Sequence, residues 1–151
     1  MSNKFDYVKT KREDVDAIPQ NMVGLVRFIM KHYTRLNVWV YKKTNGKWMK
    51  NFPGGYPICI VGMIGRKSGE RREVGLIHLP DGPNKYLVAS QGGMEKHPVW
   101  YFNVKANPDI DIMVGGDVQK YHARQLTSDE KRDSWAHLLS LYPDFDEYQA
   151  R

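Results

Sequence analysis

From Ile58 onward the apolar residues of this chain fall into short runs rich in branched side chains, and that punctuation limits the folds open to it. The runs are Ile58 to Ile64, Arg72 to Leu79, Tyr86 to Ser90, Ile110 to Val114 and Val118 to Leu126. Gly, Pro, Asp or Asn bounds them, so each reads as a β-strand. Gly65-Arg66-Lys67-Ser68-Gly69 joins the first two and Pro80-Asp81-Gly82-Pro83-Asn84 the second and third, which predicts two antiparallel hairpins in series. Gly115-Gly116-Asp117 predicts a tight turn between the last two.

Three helices frame these strands. Met22, Leu25, Val26, Ile29, Tyr33, Leu36 and Val40 recur at helical spacing over Pro19 to Tyr41. Arg27, Lys31 and Arg35 form a cationic stripe beside that face. Such a face is expected to pack on the core; the stripe leaves open a second use, on an anionic membrane. Pro98 opens a short helix at its first position and Asn107-Pro108 stops it. Thr127 and Glu130 form a capping box that starts a helix to about Leu141, and Tyr142 to Tyr148 reads as one irregular turn. The sum is an α+β domain on a small barrel or strongly curled sheet. Residues 1–41 form an N-terminal segment and amphipathic helix, and 42–151 the main body, in one globular unit whose 151 residues suffice for a core.

Charge is segregated. Between Ala17 and Gly69 there is no Asp or Glu, whereas Arg27, Lys31, Arg35, Lys42, Lys43, Lys47, Lys50, Arg66 and Lys67 fall there. These nine more than account for the net charge of +6, so the rest of the chain is net acidic. Such a field attracts nucleic acid, an acidic membrane surface or a phosphorylated or polycarboxylate small molecule, or is a solvated basic face. Several chemistries are not expected. The five histidines lack metal-ligand spacing, no GxSxG or Walker loop is present, and no GxGxxG follows a strand. Cys59, the single cysteine, sits inside an apolar run and reads as a small core residue. The charged first residues lack a signal-peptide core, and the longest charge-free stretch, Asn51 to Gly65, is too short to span a bilayer. A cytoplasmic setting is expected.

The glycines of the 65–69 turn allow backbone N–H groups to converge on an anion, and Arg66, Lys67 and nearby Arg72 add cations. The alternative is an exposed loop that is basic without a ligand. Gln91-Gly92-Gly93 feeds into a helix start carrying Trp100, Tyr101 and Phe102, a place where a planar ring can rest on glycine backbone beside Trp100. Phe102 and Val104 are expected in the core.

Gly65 to Gly69 with Arg72, then the Ala89 to Pro108 stretch, then Trp135 with Tyr142 to Gln149, resemble the deazaflavin-dependent nitroreductase family over roughly Leu36 to Gln149. The resemblance implies a split β-barrel related to FMN-binding oxidases. It implies hydride transfer from reduced coenzyme F420 to a quinone, nitroaromatic or activated enone. By position, Arg66, Lys67 and Arg72 would hold the phosphate and acidic tail, and Ser90, Val99 and Trp100 would line the deazaflavin ring. Ser68, Gln91 and Gly92 complete the implied cofactor set. Tyr142, Phe145 and Tyr148 would face the acceptor, and Tyr142, Tyr148 or Ser90 would deliver a proton. An acid-free basic segment suits that anionic ligand, and no nucleic-acid partner or metal is then expected. A quinone in lipid would let the N-terminal helix dock peripherally at the inner face of the membrane. An FMN-dependent oxidoreductase on the same fold, and a non-catalytic anion- or membrane-binding module, are the other readings.

Overall fold

A computed structural model describes residues 19–52, 55–89, 96–143 and 145. In chain order the elements are α1 (Gln20–Lys43), β1 (Asn51–Phe52), β2 (Tyr56–Ile64), β3 (Arg71–Ile77), β4 (Leu79–Asp81), β5 (Asn84–Tyr86), α2 (Val99–Ala106), β6 (Asp109–Val114), β7 (Asp117–His122) and α3 (Ser128–Leu141). The architecture is α+β and every strand pairing is antiparallel. A five-stranded sheet runs β1-β2-β6-β7 with β3 also on β2, and β4-β5 form a separate two-stranded sheet. Among the described residues the strands do not close into a barrel.

The central strand β2 is buried from Ile58 to Met63 because both of its faces are covered. Ile58 and Ile60 pack with Val38 and Tyr41 of α1, while Cys59, Val61 and Met63 pack with Val104 of α2 and Ile110 and Ile112 of β6. A strand enclosed on both sides reads as a continuous apolar run, which is how the sequence reads here. Cys59 is 1% exposed. Burial pushes its thiol up to about 12, so it remains protonated and inert at neutral pH. A third cluster joins Leu79 to Trp135, Leu138, Tyr142 and Phe145, seating α3 on the β4-β5 hairpin.

Prolines set where two ladders stop. The β2-β3 register ends at Ile58↔Ile77, and the next pair would be Pro57 and His78. Pro57 O accepts from His78 N at 2.8 Å but Pro57 has no N–H to return, so the predicted strand to Leu79 breaks and Leu79 turns to a new partner, Tyr86. The same device ends β6-β7 after Asp109↔His122: Pro108 O accepts from Ala123 N at 2.8 Å, and the strand expected to reach Leu126 stops at His122. The predicted five-residue loop at 80–84 is a two-residue turn, Gly82-Pro83, because Gly82 takes φ 57° at its first position; Pro80, Asp81 and Asn84 belong to strands. The strand expected at Tyr86 to Ser90 is accordingly Asn84–Tyr86. The capping box forms, with Thr127 Oγ1 accepting from Glu130 N at 3.2 Å and Glu130 Oε2 from Thr127 N at 2.8 Å. Pro98 caps α2 instead of occupying its first turn.

Helix α1 departs most from expectation. Only Asn37, Val38 and Tyr41 are buried. Met22, Leu25, Ile29, Tyr33 and Leu36, expected to meet a core, are 44% to 58% exposed. Among the described residues the body reaches only the last two turns, where Asn37 Nδ2 donates to Met49 O at 2.9 Å and Tyr41 Oη accepts from Gly115 N at 2.7 Å. Those anchors point a different side of the helix inward, since Leu36 and Trp39 stay exposed beside buried Asn37 and Val38.

Candidate functional site

The β2-β3 hairpin projects its basic turn past the end of the sheet, and α2 stands against it. Arg66 N donates to Asn103 Oδ1 at 3.1 Å, and the Arg66 guanidinium lies 4.8 Å over the Phe102 ring. Asn103 is 7% exposed, one of two buried polar residues among those described. The turn and the aromatic helix, far apart in sequence, are thus one assembly. Sequence reasoning placed Phe102 in the core and gave Asn103 no role. The only signal was an amide following the aromatic and apolar residues that open the helix.

Four backbone donors around the turn are already engaged, which leaves the N–H groups of Lys67 and Ser68 for an anion. Gly65 N donates to Glu70 O, Gly69 N to Gly65 O, Glu70 N to Ser68 Oγ and Arg66 N to Asn103. Ser68 shapes the turn, its Oγ also meeting Arg72 Nη2 at 3.5 Å. Exposed side chains add to what the N–H groups of Lys67 and Ser68 offer an anion. Arg66 and Lys67 are exposed. Arg72, also exposed, has one carboxylate near it, Glu70 at 3.4 Å. Its neighbour Arg71 is committed elsewhere: it grips Asp111 at 2.6 and 2.8 Å across Gly62, whose missing side chain leaves room, and faces Glu73 at 3.7 Å. That grip holds the Asp111 carboxyl below the usual carboxylate range. Alternation along β3 therefore separates an arginine clamped to Asp111 from one held more loosely by Glu70 beside the turn.

Trp100 is half-buried against the cluster around Val61, and Val99, the first residue of α2, is 74% exposed. His97 stacks on Tyr101 at 4.2 Å. Ser90, Gln91, Gly92 and Tyr148 lie outside the described residues. Tyr142 and Phe145, expected to face the acceptor, are core residues at 2% and 4% exposure. Tyr142 meets Tyr56 edge-on at 4.6 Å and Phe145 at 4.7 Å, because the chain leaving α3 folds back on Leu79. Tyr56 and the basic turn sit at opposite ends of β2, about 26 Å apart along the strand. A half-buried pair, His78 and Lys85 at 3.1 Å, also escaped sequence reasoning. Burial and then the Lys85 charge hold the His78 imidazole below its usual range.

The donor set suits a ligand with phosphate and carboxylates joined to a flat ring: exposed Arg66 and Lys67 on the turn and Arg72 at the start of β3, with the Phe102 ring against Arg66. Among the described residues no three metal-ligating side chains converge, and no helix is long and apolar enough to cross a membrane.

The chain is 37% identical over 91 residues to an F420H(2)-dependent quinone reductase of Mycobacterium tuberculosis, covering 60% of this chain and 61% of that protein. It thus spans about three fifths of the length of the curated relatives it matches. Among solved structures it is similar to an F420-H2 dependent reductase, FDR-A, at 40% identity and TM-score 0.58, covering 62% of this chain and 82% of that one. A second, solved as a domain-swapped dimer, gives 34% identity and TM-score 0.60 over 76% of this chain and 85% of its own. The family model for F420H(2)-dependent quinone reductases matches residues 33–151. The chain, with its basic turn and aromatic helix inside that span, belongs to the F420H(2)-dependent quinone reductase family.

Proposed function

We propose that this chain binds reduced coenzyme F420 and reduces a quinone, with nitroaromatics and activated enones as further acceptors. The observation that carries the reading is the docking of the Arg66 turn onto α2 through Asn103 and Phe102, which sets a cation against the aromatic helix. When bound, the coenzyme supplies a hydride. Arg66, Lys67 and Arg72 hold its phosphate and carboxylates through charge-assisted hydrogen bonds. Ser68 and Asn103 hold the turn in shape, and Val99 and Trp100 flank the ring together with Ser90, Gln91 and Gly92. Tyr148 and Ser90 serve as proton donors at the acceptor side. Tyr142 and Phe145 serve the fold, packed with Leu79 and α3 at the far end of β2. The fold completes a split β-barrel, its closure involving the exposed edges of β3 and β7. The enzyme works in the cytoplasm, and α1 brings it to the anionic inner face of the membrane.

Titration of the purified chain with reduced F420, followed by fluorescence, tests the reading. The Arg66→Gln, Lys67→Gln double variant is expected to bind on the order of 100-fold more weakly. The gap should widen at low salt. Equal affinity in variant and wild type, or a yellow protein that holds FMN against exchange, would reject it.

A further inference from the structure

The last two turns of α1 and strand β3 enclose an open cleft of about 520 Å³ lined by Arg35, Val38, Trp39, Lys42, Lys43 and Glu73. Three cations face one carboxylate there. Lys42 Nζ meets Glu73 Oε1 at 2.8 Å and Arg71 approaches Glu73 Oε2 at 3.7 Å, so the carboxylate is already neutralised. Arg35 and Lys43 have no ion-pair partner among the described residues. Trp39, at 60% exposure, stands at the cleft's rim beside the apolar face of Leu25, Ile29 and Leu36. A positive cleft uncompensated among the described residues, bordering an exposed tryptophan and an apolar stripe, has the layout of a headgroup site at the edge of an interfacial helix.

We infer that this cleft receives the phosphodiester headgroup of an anionic phospholipid. Arg35 and Lys43 bind phosphate oxygens, and Trp39 sits at the glycerol level while Leu25, Ile29 and Leu36 enter the acyl boundary. The inference rests on the proposal that α1 meets a membrane and adds a defined lipid site to it. A second copy of the chain is the weaker occupant. It would bring the cations of its own acid-free α1 against Arg27, Lys31 and Arg35.

The test is co-sedimentation of the full chain with phosphatidylcholine vesicles, with and without phosphatidylglycerol. Arg35→Gln/Lys43→Gln is compared with Arg27→Gln/Lys31→Gln, a charge-matched pair outside the cleft. All four side chains are exposed, and thermal melting checks that each variant is folded. The expected result is binding that needs phosphatidylglycerol and falls about 30-fold in the cleft variant, against a clearly smaller loss in the other. Equal losses would mean diffuse attraction, overturning the cleft and sparing the membrane reading. No binding to either vesicle would overturn both. Inorganic phosphate shielding the Lys43 amine from acylation, without vesicle binding, would make it a free-anion site and reject the lipid. A dimer without lipid that dissociates on Leu25→Ser/Ile29→Ser substitution would reject it for a second copy.

Discussion

Asn103 does with one amide what the turn's own backbone cannot. Its Oδ1 fixes Arg66 N from outside the turn, so the cations are positioned by α2 and not by the hairpin alone. Replacing Asn103 with Ala removes that acceptor and leaves the Arg66 N–H short of a partner. Thermal unfolding should show a loss of about 1 kcal/mol. F420 affinity should fall further than that stability loss explains, with KM for the coenzyme rising more than kcat falls. Unchanged KM would mean that the bond serves folding only. Arg66, Lys67 and Arg72 stand out in the sequence as candidates because cations next to paired glycines are conspicuous in a chain. Asn103 was not, because its meaning lies in a contact across 37 positions. Nor was the burial of Tyr142 and Phe145: an aromatic, proline-broken tail reads equally as a binding lip and as a plug, and only the packing of Leu79 against α3 decides.

At the scale of elements, chemistry that acts within a few residues was readable and chemistry that needs a partner strand was not. The capping box at Thr127 is local, and it forms. The ends of β3 and β7 depend on which residue faces Pro57 or Pro108 across a ladder, and no single run displays that. Thr127→Ala should lower stability by about 1 kcal/mol in denaturant unfolding. The cap also responds to acid. Bidentate contact with Arg124, then the Thr127 N–H, lowers the Glu130 carboxyl to about 2 from a usual 4.5. A depressed carboxyl stabilises the fold above its unfolded value and ceases to do so as pH falls through its folded one. The Glu130 contribution should therefore be intact above about pH 4.5 and vanish toward pH 2. A Glu130→Gln variant whose stability matched wild type at pH 6 as well as at pH 2 would contradict this.

Across the whole molecule, the change of hydrophobic period along the chain was enough to indicate an α+β body. It did not show that α1 stands largely clear of that body. An amphipathic pattern specifies that one face seeks cover and is silent on what provides it; here a helix of 24 residues, about 36 Å long, is held at one end. Because cations on the 65–69 turn and on α1 both lie in the acid-free stretch, cofactor affinity should fall with added salt more steeply than the turn alone requires. Replacing Arg27 and Lys31 with Gln should flatten that dependence in a titration series, although neither residue lies in the turn.

The single tether from Arg66 to Asn103 has one more outcome. Four backbone donors of the hairpin tip are occupied, but only this one reaches outside the hairpin. Its amide proton should exchange with deuterium only when the tip lifts off α2, while its neighbours answer to local fraying. If the proposed function holds, one resonance would then report how often the tip parts from α2, and how far added coenzyme keeps it there.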